Sequence, residues 1–463
     1  MSEVGRSLRR DLGPWASASI VVGTIIGTGV FLKTAVMAQL GGSPAWVLAA
    51  WGVAGVLSFT GAMTYAELGG MFPSSGGEYV YLRRGYGPFM AYLYAWNRFW
   101  IATPASVAAY AVGSATFFAT AVPLDRFAIG IGGSQLTGVQ VVGFGLIAVF
   151  TAINCLNVRS GGQLQTALTV MKVVMIAGLA AGALAAPRGD WSHVAQGGAF
   201  PGWSAFGAMV LAALWAYDGW NNLPMAAGEI RDARRTLPRA TVGGMLAVLV
   251  TYALVNIGYF HALPFSEVVT ASSDAYPGAP AVAARAATQF LGGTAQVVLA
   301  VAMTVSAISA MNGSMLTGAR VPYAAARDGL APAPLARLSA GARVPAISVL
   351  VQGVLSCLLA MTGSFDELTD AVVFASWLFY ALNSGSVVRL RRREPGRERP
   401  FRVPGFPVVP FVFVGLALLL IANTIWTSPR PSALGLGMTA IGSLVYAVFL
   451  RGKARPVNTA DEE

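Results

Sequence analysis

Apolar runs about as long as a bilayer core is thick recur along the whole chain, and that feature excludes most folds. They read approximately as 15–38, 44–68, 88–119, 137–156, 163–186, 203–229, 239–263, 294–320, 345–363, 368–390, 407–427 and 432–450. About 20 apolar residues in α-helix cross the hydrocarbon core, so these runs predict twelve spans. A membrane β-barrel would need in–out alternation, and none is visible. Only 11% of the residues are charged against 55% hydrophobic, whereas a soluble chain carries roughly 25% charged residues. Too few charges remain to cover a water-facing surface. The expected fold class is an all-α polytopic membrane protein.

The start, MSEVGRSLRRDLG, is polar and basic, and the run after it is long enough to stay as a span. No cleavable signal is therefore expected. Twelve spans put both termini on one side, and basic residues choose the side. With the N-terminus cytoplasmic, 24 of the 31 Lys and Arg residues fall in cytoplasmic tails and loops, seven of them between Arg389 and Arg402. Only Arg126, Arg188, Arg285 and Arg430 fall opposite, and Lys33, Arg98 and Lys172 lie inside spans. Both ends are expected in the cytoplasm. The net charge of +11 then reflects orientation and anionic headgroups rather than nucleic acid.

The functional classes narrow by chemistry. Cys155 and Cys357 both lie in apolar runs, so neither a disulfide framework nor a Cys metal site is expected. The two histidines, His193 and His261, are far apart, and no HExxH, CxxC or Ser-His-Asp spacing is present. No cofactor, no metal and no enzyme activity are expected.

The first span carries GTIIGTGVF, Gly23 to Phe31. Gly costs a helix interior about 1 kcal/mol relative to Ala, so three glycines in seven residues need a reason. A phosphate loop would follow a strand and open a helix, and here the span continues on both sides. Two readings remain. Gly23 and Gly27 form a GxxxG pair for close helix packing, or the helix breaks near Gly27–Gly29 and frees N–H groups for a carboxylate. Transporters built from inverted repeats carry two such breaks, one in each half. The sixth span supplies a matching interruption in AALWAYDGWNNLPMAAGE, residues 212–229. Together the two breaks predict five-helix repeats over 15–186 and 203–390, with a tail at 1–14. A basic loop at 391–406, two added helices at 407–450 and a tail at 451–463 complete the expected domains.

Lys172 lies about nine residues past Gln163, roughly 13 Å into the fifth span. A cation at that depth is costly and usually functional, so bridging to carbonyls of the broken first span is expected. Arg98, in WNRFW, is read near the cytoplasmic end of the third span, where pairing or snorkelling competes with a substrate role. Lys33 is read as facing an external vestibule. Asp218 either satisfies backbone donors at the break or meets a cationic group. Trp215 and Tyr217 adjoin the break and suit a gate, whereas packing is the default for Trp220 and Trp377.

Several stretches, in order, carry a resemblance: VVGTIIGTGVF, YAELGGMFPSSGGEYVYLRRGYG, AYDGWNNLPMAAGEIRDARRTLPRA, GARVPYAAARDGLAP, and SWLFYALNSGSVVRLRRREP followed by FRVPGFPVVP. They resemble the amino acid–polyamine–organocation (APC) superfamily, within it the L-type amino acid transporter family and its bacterial homologues. The first resembles the family's GSGIF signature, with Thr28 where Ser is common. The resemblance implies a leucine-transporter type fold, a 5+5 inverted repeat with discontinuous helices 1 and 6 plus two extra helices, working by alternating access.

By residue match, Ile26, Gly27, Thr28 and Gly29 would hold a substrate carboxylate. Trp215, Ala216 and Tyr217 would offer carbonyls to the amino group, with Trp215 as gate and Asn221 lining the site. Lys172 would stand in for a sodium ion. Asp218, Arg98 and Trp377 are the candidates for substrate selection. The family's animal members carry a Cys in the external 3–4 loop for a partner subunit; AVPLDRF has none, so no disulfide-linked heavy subunit is expected. The expectation is a sodium-independent L-amino acid transporter of the bacterial cytoplasmic membrane, for neutral substrates, acting as exchanger or proton-linked uptake system. The alternative is a cationic amino acid or polyamine carrier with Asp218 as counter-charge.

Overall fold

The computed structural model describes residues 8–455, except 121, 125, 126, 132, 133, 274, 277, 363, 364 and 428. Arg6 and Arg126, part of the 3–4 loop and both chain ends of the expected tails therefore lie outside the described residues.

The first run is two helices, α1 (Pro14–Ile25) and α2 (Gly29–Gly41), and α3 (Pro44–Met71) follows. A short α4 (Glu78–Tyr86) leads into α5 (Pro88–Asn97), which passes through a π turn at Arg98–Ala102 into α6 (Thr103–Ala119). Pro sits in the first turn of α1, α3 and α5, where its missing N–H has no intrahelical partner to lose, and Pro104 follows the π turn within the continuous helix. A hairpin, β1 (Ala128–Ile131) and β2 (Ser134–Thr137), pairs antiparallel before α7 (Gly138–Leu156) and α8 (Val158–Leu184). A Thr137–Gln140 capping box starts α7, and the Asn157 side chain accepts from the Ser160 N–H at 2.6 Å to start α8.

After α9 (Trp191–Ala195), the sixth run splits into α10 (Trp203–Ala216) and α11 (Asn222–Met225). Next come α12 (Ala233–Ala262), α13 (Phe265–Val269), α14 (Val282–Leu291), α15 (Ala295–Gly318) and α16 (Arg320–Arg327). The chain continues through α17 (Ala346–Thr362), α18 (Phe365–Arg393), α19 (Val408–Thr427) and α20 (Pro429–Val445). Among the described residues, nine helical segments are long and apolar enough to cross a membrane, with Trp203–Ala216 and Ala346–Met361 as shorter apolar helices. The protein is a multi-pass helical membrane protein. α18 continues to Arg393, so helix enters the basic stretch expected as loop from 391.

The core gathers around the first run: α1 packs against α8, α12 and α15, while α10 packs against α2 and α3. α19 lies at the edge of that core against α18 and α3, burying Phe413 and Ala417 and showing Leu418, Leu419 and Trp426 outward. Gly23 answers half of the GxxxG question. A Cβ there would come within 2.2 Å of Gln165 Nε2 on α8, whereas one on Gly27 would meet nothing closer than the Tyr110 ring at 3.6 Å. Gly23 is a packing glycine. Gly27 faces a space.

Candidate functional site

The first break spans Ile26 to Thr28. α1 ends at Ile25, Ile26 turns to ψ 91°, and α2 starts at Gly29. A broken helix in a membrane must find partners for its freed backbone groups, and here the carbonyls find them. Lys172, 1% exposed, donates from Nζ to the carbonyls of Gly23 at 2.8 Å, Ser306 at 3.1 Å, and Ile26. Three acceptors match the three donors of an ammonium. Ser306 Oγ lies 3.1 Å from the Ile26 carbonyl and 2.8 Å from that of Gly27, and Tyr252 OH lies 3.3 Å from the Ile25 carbonyl. Of the N–H groups opening α2, that of Phe31 donates to the Thr28 carbonyl at 3.1 Å, while those of Gly29 and Val30 have no intrahelical acceptor. The carbonyl side is covered and the donor side is open, a geometry that favours an anion over a cation.

The second break spans Tyr217 to Asn221, between α10 and α11. Gly219 has φ +124°, and a Cβ there would lie 2.8 Å from the backbone of Thr24. Only glycine lets the two breaks touch at this point. Thr24 Oγ1 donates to the Gly219 carbonyl at 2.9 Å, and Tyr252 OH donates to the Ala216 carbonyl at 3.0 Å. Tyr252 therefore contacts both breaks. The Asp218 carboxylate accepts from Tyr380 OH at 2.7 Å.

Between the breaks lies a cavity of about 30 Å³ lined by Ile25, Gly27, Thr28, Gly29, Ser106, Ala109, Tyr110, Trp215, Ala216 and Asp218. That volume holds roughly two waters, so a larger ligand requires the walls to part. Gly27, Thr28, Gly29, Trp215, Ala216 and Asp218 are thus brought to one space. Ile26 stands behind it with its carbonyl on Lys172 and Ser306. Tyr217 is buried against Trp51 and Tyr252, with ring centroids 5.6 and 5.0 Å away. Asn221 donates to Glu78 at 3.1 Å, and Trp377 stacks on Phe413 at 5.9 Å. Neither lines the cavity.

Arg98 is not at a span end. It sits in the π turn ten residues into its helix, 6% exposed, with Nη2 3.3 Å from Asn222 Oδ1, and it interacts electrostatically with Glu78 and Asp218. Buried carboxylates draw the guanidinium inward, and snorkelling would abandon them. Lys33 Nζ lies 4.9 Å over the Trp215 ring.

Sequence reasoning missed Ser106, Ala109 and Tyr110. They sit at i, i+3 and i+4 of α6 and so share a face, a signal that small residues in an apolar helix make faint. It also missed Tyr252 and Ser306, whose hydroxyls alone mark them out. Among the described residues, no group of His, Cys, Asp and Glu is placed to hold a metal, and Cys155 and Cys357 are both free thiols.

Two interrupted helices abut at a small cavity inside a multi-pass helical membrane protein. The chain belongs to the amino acid permease family, whose profile matches residues 12–450, within the APC superfamily. It is a transporter rather than an enzyme. It is 30% identical to a serine/threonine exchanger of Bacillus subtilis over 96% of this chain and 98% of that protein. It is 31% identical to the b(0,+)-type amino acid transporter 1 of Rattus norvegicus over 97% of this chain and 90% of the relative. To the human cystine/glutamate transporter it is 29% identical, over 97% and 87% respectively.

Proposed function

We propose that this chain is a sodium-independent carrier of neutral L-amino acids that works by alternating access between its two helix breaks. The observation that carries this reading is the division of labour at the first break: Lys172 and Ser306 occupy the carbonyls while the donors opening α2 face the cavity. A substrate carboxylate docks on those donors, and its ammonium turns toward the C-terminal end of α10, where the helix dipole is negative. Trp215 closes the site, clamped from the α2 side by Lys33. The Lys172 ammonium fills the electrostatic place that a sodium ion would need. The arrangement fits twelve spans in a 5+5 inverted repeat plus two, in a bacterial cytoplasmic membrane with both termini cytoplasmic and no disulfide-linked subunit.

The test is uptake of labelled neutral amino acids into proteoliposomes preloaded with unlabelled substrate, with and without sodium. Saturable exchange at equal rates in both is the expected outcome; strict sodium dependence removes the role given to Lys172. A second reading, a carrier for cationic amino acids or polyamines, draws on Asp218 in the cavity wall. Arginine or putrescine outcompeting every neutral amino acid in the same assay selects it.

A further inference from the structure

We propose that Asp218 is an exchangeable proton site which substrate binding empties, so that the carrier moves a proton in exchange for its amino acid. The inference rests on the amino acid reading above and goes beyond it.

Arg98 and Glu78 are buried and Asp218 is half-buried in the cavity wall, and the guanidinium interacts electrostatically with both carboxylates. Glu78 is amply supplied. It accepts from Tyr65 OH at 2.5 Å, Tyr94 OH, Asn221 Nδ2 at 3.1 Å and Asn383 Nδ2 at 3.4 Å, with Tyr81 of its own helix also facing it. That donor set solvates an anion, so Glu78 and Arg98 form a neutral unit. Asp218 accepts from Tyr380 OH and the Gly219 N–H, with Arg98 and Tyr110 as the other charged or titratable groups facing it. Lys172 is taken up by the three carbonyls at the first break. One guanidinium cannot neutralise two carboxylates held inside the protein, and a poorly solvated, uncompensated charge takes up a proton instead.

Of the two carboxylates, only Asp218 lines the cavity. Nearby polar atoms are also left without partners among the described residues: Thr28 Oγ1 in the same wall and Arg98 Nε, both in buried side chains. A polar ligand or water would satisfy them. In the empty carrier the Asp218 carboxyl holds the proton. When an amino acid enters, its ammonium supplies the missing positive charge, the carboxyl O–H bond breaks, and the proton leaves to water in the opening cavity. The carboxylate then pairs with the ammonium. Because proton and substrate compete for one group, each crosses in a different half of the cycle. The result is counter-transport.

The experiment is proton release by the purified full chain in weakly buffered detergent with a pH-indicator dye, titrated with neutral L-amino acids and, separately, with L-arginine. About one proton per bound substrate is expected, with affinity rising as pH rises, by up to about tenfold per pH unit across the titration. D218N should bind without release, and E78Q, which leaves Arg98 a single carboxylate to neutralise, should release fewer protons than the wild type. Wild-type binding without release, or release by D218N equal to wild type, overturns the proposal and leaves the amino acid reading standing. No binding of any amino acid overturns both. The wild-type stoichiometry decides the matter even where a variant does not fold.

Discussion

The two helix breaks differ in length and are held by different means. At the first, a lysine from another helix reaches in and saturates the carbonyls of Gly23 and Ile26, joined by the Ser306 hydroxyl. At the second, the covering groups are neutral hydroxyls from Thr24, Tyr252 and Tyr380, and the charge, Asp218, belongs to the break itself. An interruption in a membrane needs only that its backbone be satisfied. The sign of the satisfying group is free, and here it differs between halves. A fixed cation stands behind one break and a titratable carboxyl beside the other.

Removing the cation should break the comparison most. Lys172→Met leaves three buried carbonyls without their donor at about 1–3 kcal/mol each. Exchange in proteoliposomes is expected to fall by roughly 100-fold or more, the equivalent of about 3 kcal/mol. Near-normal exchange would show that the first break does not depend on its cation. Gly219→Ala tests the contact between breaks. Its Cβ would lie 2.8 Å from the Thr24 backbone at a φ of +124°, and strain of about 1–3 kcal/mol should appear as a lowered melting temperature. Gly27→Ala should melt like the wild type and lose substrate affinity, because its Cβ enters the cavity; equal melting of the two alanine variants would contradict this assignment.

Tyr252→Phe removes a hydroxyl that reaches the helix ends at both breaks, at 3.3 and 3.0 Å. About 1 kcal/mol of stability should go with it, measured as a smaller shift than that of Gly219→Ala. At the bottom of the scale, Arg234→Ala opens an exposed 3.5 Å pair with Glu398. Exposed pairs contribute about 0–1 kcal/mol, so neither melting nor exchange should move appreciably; a large loss in either would place this loop in the transport cycle.

The breaks were legible in the chain because glycine, aspartate and proline are conspicuous within apolar runs. Lys172 was legible for the same reason, as a charge in the fifth run. What stayed hidden was direction. Asn221 lies beside the second break in sequence, yet its amide turns to Glu78, and nothing in WNN indicates which way a side chain faces. Arg98 was placed near a span end because runs of apolar residues do not mark depth well, and the carboxylates that draw it inward come from α4 and the second break. Tyr110 and Tyr252 read as ordinary span residues. Their roles depend on which helices become neighbours, a property of packing rather than of any local pattern. The GxxxG spacing joined Gly23 and Gly27 into one motif, whereas the fold gives them separate work.

The chain also touches itself far from the cavity. Leu12 forms a parallel bridge with Ile230: its N–H donates to the Glu229 carbonyl at 2.9 Å, and its own carbonyl accepts from Arg231 at 2.9 Å. Next to it, the buried Glu229 carboxylate meets Arg320 at 2.8 Å. Leu12 leaves the ribosome long before its partner does. The bridge therefore closes only after α10 and α11 have been made and seated, and the ion pair only after α15. The segment synthesised among the first is fastened only after half of the chain has been made, so a fusion that ties it down early would interfere with biogenesis even where the finished protein tolerates it.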